Sequence, residues 1–127
     1  MKASKVQLTF NKYQDHAEST AVYPNLGRNI IYPTLGLTSE AGEFSGKLKK
    51  IIRDKFEFSS DAISTLTNFI RGNNKDEFVD ELGDVLWYVT MCASELGVTL
   101  EEVAKKNVDK LKDRQNRGKL HGKGDKR

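Results

Sequence analysis

From Leu82 to Leu96 the chain reads apolar nearly all the way round a helix, and no other stretch constrains the fold as strongly. Phe78, Leu82, Val85, Val89, Cys92 and Leu96 recur at spacings of three and four, which places them on one helical stripe. Leu86, Trp87, Tyr88, Met91 and Ala93 fill the faces beside it. A helix that is apolar all round has to be covered on several sides. The spacing predicts this helix from about Lys75 to Leu96, stopped by Gly97. With 127 residues, 37% hydrophobic and 31% charged, the chain has material for one domain with one core and a wet surface. Covering this helix fully within one such chain is difficult, so self-association as a homodimer or homotetramer is expected.

Other helices are expected around it. Ser4 and Gln7 have capping-box spacing, and Val6, Phe10, Tyr13 and Ala17 mark one face of a helix from about residue 5 to 20. Residues 23–29 are rich in turn formers and end it. After Pro33 and Thr34, the residues Leu37, Ala41, Phe44, Leu48 and Ile51 predict a helix to about Asp54. Ile63, Leu66 and Ile70 predict a short helix over 61–71, stopped by Gly72. Thr99 and Glu102 form a capping box that opens a last helix reaching about Arg117. Nothing alternates as a strand would, so the fold expected is all-α, a bundle of about five helices filling residues 1–127.

Cys92 is the lone cysteine, which excludes an intrachain disulfide and a cysteine-rich zinc site. Neither a secretory leader nor an apolar run of membrane-spanning length is visible, so a cytoplasmic protein with no membrane partner is expected. The net charge of +3 is unevenly spread, with ten Lys or Arg against three Asp from Lys105 to Arg127. Such a segment meets phosphate, on a nucleic acid or a nucleotide, or it is a solvated tail. Residues 118–127 read as a basic tail containing glycine.

The chemistry lies beside the apolar stripes. Glu77, Glu81, Asp84 and Tyr88 each stand one residue ahead of the stripe on the fourth helix. Glu40 and Glu43 stand likewise ahead of Ala41 and Phe44 on the second. Residues three apart share a helix face, so packing along the stripes brings four carboxylates to one edge of the core. Their repulsion is relieved by Lys or Arg partners or by a cation. Oxygen donors with no His or Cys nearby suit Mg²⁺, with Mn²⁺ as a substitute, better than zinc.

Glu40-Ala41-Gly42-Glu43 followed by Glu81-Leu82-Gly83-Asp84 resembles the paired acidic signature of MazG-like nucleotide pyrophosphohydrolases. The flanks Gly36 to Ser39 and Val85 to Tyr88 strengthen the likeness, as does the ending Asn107-Val108-Asp109-Lys110-Leu111, Arg114, Arg117-Gly118 and Gly122 to Asp125. The resemblance implies an all-α fold that works as a dimer or dimer of dimers. It implies cleavage of a nucleoside triphosphate between the α and β phosphates, giving a monophosphate and pyrophosphate, in the service of nucleotide-pool sanitation or control. It also implies that Glu40, Glu43, Glu81 and Asp84 hold the metal. Either Glu40 or Glu43 then takes a proton from the attacking water. The 37 residues between Glu43 and Glu81 make a longer gap than in many members. The third helix is expected to fill it.

Substrate contacts divide between two readings each. Tyr88, one turn after Asp84, is a phosphate or sugar contact or a core-edge tyrosine. Lys47 and Lys50 extend the acidic stripe toward phosphate or base, although Lys47 is also placed to pair with Glu43. Asn107, Lys110 and Arg114 share a face suited to a phosphate chain, or a solvated one. Trp87 and Cys92 read as packing, and His16 and His121 as surface residues. Two rival functions remain from the residues alone: a non-enzymatic helical protein binding nucleic acid through its basic tail, and a helical adaptor whose acids are surface ion-pair partners. Nucleic acid is the less expected partner.

Overall fold

The computed structural model describes residues 6–55 and 61–123. Among them run five α-helices and no strand: α1 (Phe10–Thr20), α2 (Ile31–Lys55), α3 (Ala62–Asn73), α4 (Lys75–Glu95) and α5 (Leu100–Asn116). The all-α expectation is met.

Local signals fix several of the ends. The Glu102 N–H donates to Thr99 Oγ1 at 3.0 Å and the Thr99 N–H to the Glu102 carboxylate at 2.7 Å, so the expected capping box opens α5. Gly97 takes the left-handed φ of +71° just past α4, a conformation open to glycine without a Cβ penalty. Three other boundaries differ from the sequence reading. α1 begins at Phe10, because Thr9 caps it by accepting from the Lys12 N–H at 3.2 Å. Gln7 precedes the helix, Val6 is exposed, and Ser4 lies outside the described residues. α2 begins at Ile31, ahead of Pro33, whose missing N–H is harmless in a first turn. Gly72 does not stop α3. Asn74 still donates to the Ile70 carbonyl at 2.9 Å, and the chain turns into α4 there.

α2 and α4 form the main packed pair, and they run antiparallel. Tyr32 neighbours Tyr88 near the start of α2, and Phe44 meets Phe78 edge-to-face at 5.0 Å further along. α1 also lies antiparallel to α4, joined by Trp87 Nε1 to Thr20 Oγ1 at 2.9 Å and Gln14 Nε2 to Ser94 Oγ at 3.0 Å. Gln14 is buried, and its Oε1 accepts from the Leu100 N–H at 2.7 Å, which fastens the start of α5 to α1. A buried amide so satisfied is stabilising, whereas its loss would strand a helix N-terminal donor. Among the described residues, α3 touches only α4 appreciably and buries none of its own residues.

The core follows the expected stripe only in part: Val85, Val89 and Cys92 are half-buried. On α4 the buried residues are Phe78, Thr90, Met91 and Ala93, while Leu82 is 52% and Leu96 68% exposed. α4 packs chiefly on α2 and also on α1, α5 and α3, so its buried set is not confined to a single stripe. Met91, Ala17, Ala21 and Tyr23 form the central cluster, flanked by Tyr13 and Trp87. Among the described residues, no helix is long and apolar enough to cross a membrane.

Candidate metal centre

The antiparallel pairing of α2 and α4 sets the acidic stripes against each other. Glu40 from α2 and Glu81 and Asp84 from α4 each offer a carboxylate oxygen, and these oxygens lie within 4.8 Å of one another. Glu40 and Glu81 are half-buried and Asp84 is exposed. Glu43 is not in the group. It stands one turn further along α2, exposed, and adds to the negative field at Glu40. Three of the four expected acids therefore converge tightly and the fourth flanks them.

Electrostatics register the crowding. Burial is the largest influence holding the Glu40 carboxyl above the ordinary glutamate range, followed by the charges of Asp84, Glu81 and Glu43. Lys47 answers part of this charge. Its Nζ lies 3.2 Å from Glu81 Oε1, so its partner is across the helix pair rather than Glu43 on its own helix. Register between helices decides this, and spacing along one helix does not carry it. The hydrogen bond to Glu81 is also the main reason the Lys47 ammonium is held above its usual range. One lysine against this many carboxylates leaves a negative cluster of hard oxygens. Ligand oxygens around one divalent ion sit about 2.0–2.6 Å from it, so a spread under 4.8 Å fits such an ion.

Aromatic residues wall the cluster. Tyr88 follows Asp84 by one turn, half-buried, with Trp87 edge-on at 4.9 Å and Tyr32 at 6.4 Å. Its hydroxyl is held above the usual phenol range, first by burial, then by a hydrogen bond with Tyr32, with Glu40 and Asp84 adding like charge. Tyr13 from α1 is raised as well, by burial and then by Asp84. The Tyr88 ring lies so close over Gly36 that a Cβ there would collide with it. Gly36 belongs to the string quoted beside Glu40, but its reason, a ring on the opposite helix, is invisible in sequence. Tyr32 carried no signal, and Tyr13 only that of a packing face on the first helix.

The remaining expected contacts stand elsewhere. Asn107 and Lys110 line a cleft of about 640 Å³, with Leu96, Val98, Leu100 and Val103 as its apolar wall, and none of the four acids lines it. Arg114, expected on their face, is buried at 4% exposed. Lys50 is exposed, ten residues beyond Glu40 and so roughly 15 Å along α2. Cys92 is half-buried on α4, and both His16 and His121 are exposed.

With this geometry in hand, likeness to known proteins is informative. Residues 33–118 match the family model described as the MazG nucleotide pyrophosphohydrolase domain. The chain is also similar to the Gene 37 protein of Mycobacterium phage L5, 42% identical over 120 residues, which are 91% of this chain and 96% of that protein. No solved structure matches it.

Proposed function

Because the chain belongs to the MazG nucleotide pyrophosphohydrolase family, we propose that it hydrolyses nucleoside or deoxynucleoside triphosphates to the monophosphate and pyrophosphate, with Mg²⁺ at Glu40, Glu81 and Asp84. The observation that carries this reading is the convergence of those three carboxylates from two antiparallel helices. A divalent ion bound there supplies charge neutralisation on the phosphate oxygens and a more acidic water. The protein's own groups do the rest. Glu40, Glu81 and Asp84 hold the ion, and their rigid helices fix where the phosphate chain lies. Glu43, one turn away and outside the ligand group, takes the proton of the attacking water. Lys47, already drawn to the cluster by Glu81, steadies the pyrophosphate end, while Tyr88 borders the sugar or phosphate. Asn107, Lys110 and Lys50 supply further phosphate or base contacts in this reading, and Arg114 supports the face from beneath.

The same reading makes the protein a cytoplasmic homodimer or homotetramer that clears or controls nucleotide pools. Residues 1–127 then form one domain with the basic tail at 118–127.

A panel of natural and modified triphosphates with Mg²⁺ or Mn²⁺, scored by pyrophosphate release, tests the activity. Two variants sharpen it. Glu81→Gln is expected to lose both hydrolysis and Mg²⁺ affinity measured by calorimetry. Glu43→Gln is expected to lose hydrolysis and keep Mg²⁺ affinity. A wild-type protein that releases no pyrophosphate from any triphosphate would overturn the proposal.

A further inference from the structure

The last residue of α4 makes an unusual set of contacts. Glu95 accepts three hydrogen bonds, all from the loop that joins α1 to α2: Tyr23 Oη at 2.6 Å and the Gly27 N–H at 3.0 Å on Oε1, and the Asn29 N–H at 2.9 Å on Oε2. Hydrogen bonds to a carboxylate are the stronger kind. The loop needs holding, because Asn25 and Gly27 both take left-handed backbone, at φ of +56° and +83°. Asn29 then passes the constraint on, its Oδ1 accepting from the Tyr32 N–H at 3.1 Å in the first turn of α2.

From there contacts run back to the acids. Tyr23, buried, stacks on Tyr32 with ring centres 4.8 Å apart and planes 20° from parallel. Tyr32 stands against Tyr88, which borders Glu40 and Asp84. Glu95 itself lies eleven residues beyond Asp84, roughly 16 Å along α4, and does not reach the metal group. We propose that Glu95 is a positioning residue for the triphosphate site: by clamping the 23–29 loop it sets Tyr32, and through Tyr32 it sets Tyr88 at the rim of the acidic cluster. This rests on the hydrolase reading above only for its consequence on substrate, since the placement of Tyr88 is observable without catalysis.

Glu95→Gln is the direct test, because an amide keeps the size but turns an N–H toward donors that need an acceptor. Ring-¹³C-tyrosine NMR of the whole protein reads where Tyr88 sits, and pyrophosphate release with Mg²⁺ reads KM and kcat. The Tyr88 ring signals are expected to shift, KM to rise about tenfold and kcat and Mg²⁺ affinity to hold. Tyr23→Phe removes one of the three hydrogen bonds and keeps the stack, so it should move Tyr88 and KM the same way by less. It decides the matter if Glu95→Gln fails to fold. Tyr88 signals that stay in place overturn the proposal. So does an active variant with unchanged KM and merely a lower Tm, which would mark Glu95 as a stabilising contact alone. If the wild-type protein hydrolyses nothing, the hydrolase reading falls, and the Tyr88 signals still decide for or against Glu95.

Discussion

At the scale of residues, the acidic cluster sets the mutual repulsion of its carboxylates against the single charge of Lys47, and substitutions should expose that balance. Asp84→Asn removes one charge beside Glu40 while keeping the shape. Hydrolysis should fall by about 100-fold or more, as when a preorganised electrostatic group is removed from other active sites. Without metal the variant should melt at the wild-type temperature or above it, because Glu40 is already burdened by its neighbours. Asp84 is exposed, so solvent screening keeps that gain within about 1 kcal/mol. The extra stability conferred by Mg²⁺, which follows its binding to the folded state, should shrink. Melting curves with and without Mg²⁺ check both, and a variant destabilised without metal yet fully active would refute the assignment. Gly36→Ala tests the wall of the site. Its methyl group would meet the Tyr88 ring, so either the ring or α2 must move. Raised KM together with a lower melting temperature is expected, and an unchanged KM would show that Tyr88 does not border substrate. These two positions also show what sequence carries. The convergence of Glu40, Glu81 and Asp84 was legible because the acids fall at three-residue spacing beside apolar stripes. Glu43's place outside the group, Lys47's partner and Gly36's neighbour were not, since each depends on the rotation and register of α2 against α4.

At the scale of elements, ends marked by local chemistry were legible and packing faces were not. Thr99, Glu102 and Gly97 declare themselves within a few residues, and α5 and the end of α4 fall where they say. The sequence pointed to Ser4 with Gln7 as the cap of α1, whereas Thr9 caps it, and periodicity alone did not place that start. The stripe along α4 held only in part, with Phe78 buried, Val85, Val89 and Cys92 half-buried and Leu82 and Leu96 exposed, because α4 packs on α1 as well as on α2. The tie between α4 and the 23–29 loop is a long-range contact with no sequence signature, and it titrates. Glu95 is held below the ordinary glutamate range, first by the Tyr23 hydrogen bond and then by the N–H groups of Asn29 and Gly27. A carboxylate whose folded pKa is depressed stabilises the fold above its unfolded pKa, and that contribution is lost as the pH falls through the folded value. Urea unfolding at a series of pH values should therefore show wild type more stable than Glu95→Gln near neutrality. The gap should close as the pH drops below the ordinary glutamate range. A gap that stays constant into acid would mean that the charge of Glu95 does not hold the loop.

At the scale of the whole molecule, a single chain leaves a great deal of apolar surface in water. Val79, Leu82 and Leu86 lie along one face of α4 at 55%, 52% and 37% exposed, and Ile31 and Leu35 at the start of α2 are 68% and 66% exposed. Scattered apolar residues are normal on a surface, but Val79, Leu82 and Leu86 at helical spacing make an exposed apolar strip on α4, and Ile31 and Leu35 make another on α2. The sequence made α4 hard to cover within one chain, and the structure leaves this part of it open. These strips lie on the same two helices that carry the acids, so a second copy seated on them would also rigidify the cluster. A stable interface of this kind buries about 800 Å² on each partner and excludes charge from its centre. Leu82→Glu places a carboxylate in that centre, where burying it unpaired costs more than the contact returns. Light scattering at micromolar concentration should give a mass of two or four chains for the wild-type protein and 14.3 kDa for the variant. An oligomer's stability is coupled to its concentration, so the wild-type melting temperature is expected to rise as the protein is concentrated, and that of Leu82→Glu is not. A wild-type mass of 14.3 kDa throughout would leave these strips without their partner and confine the architecture of the site to one chain.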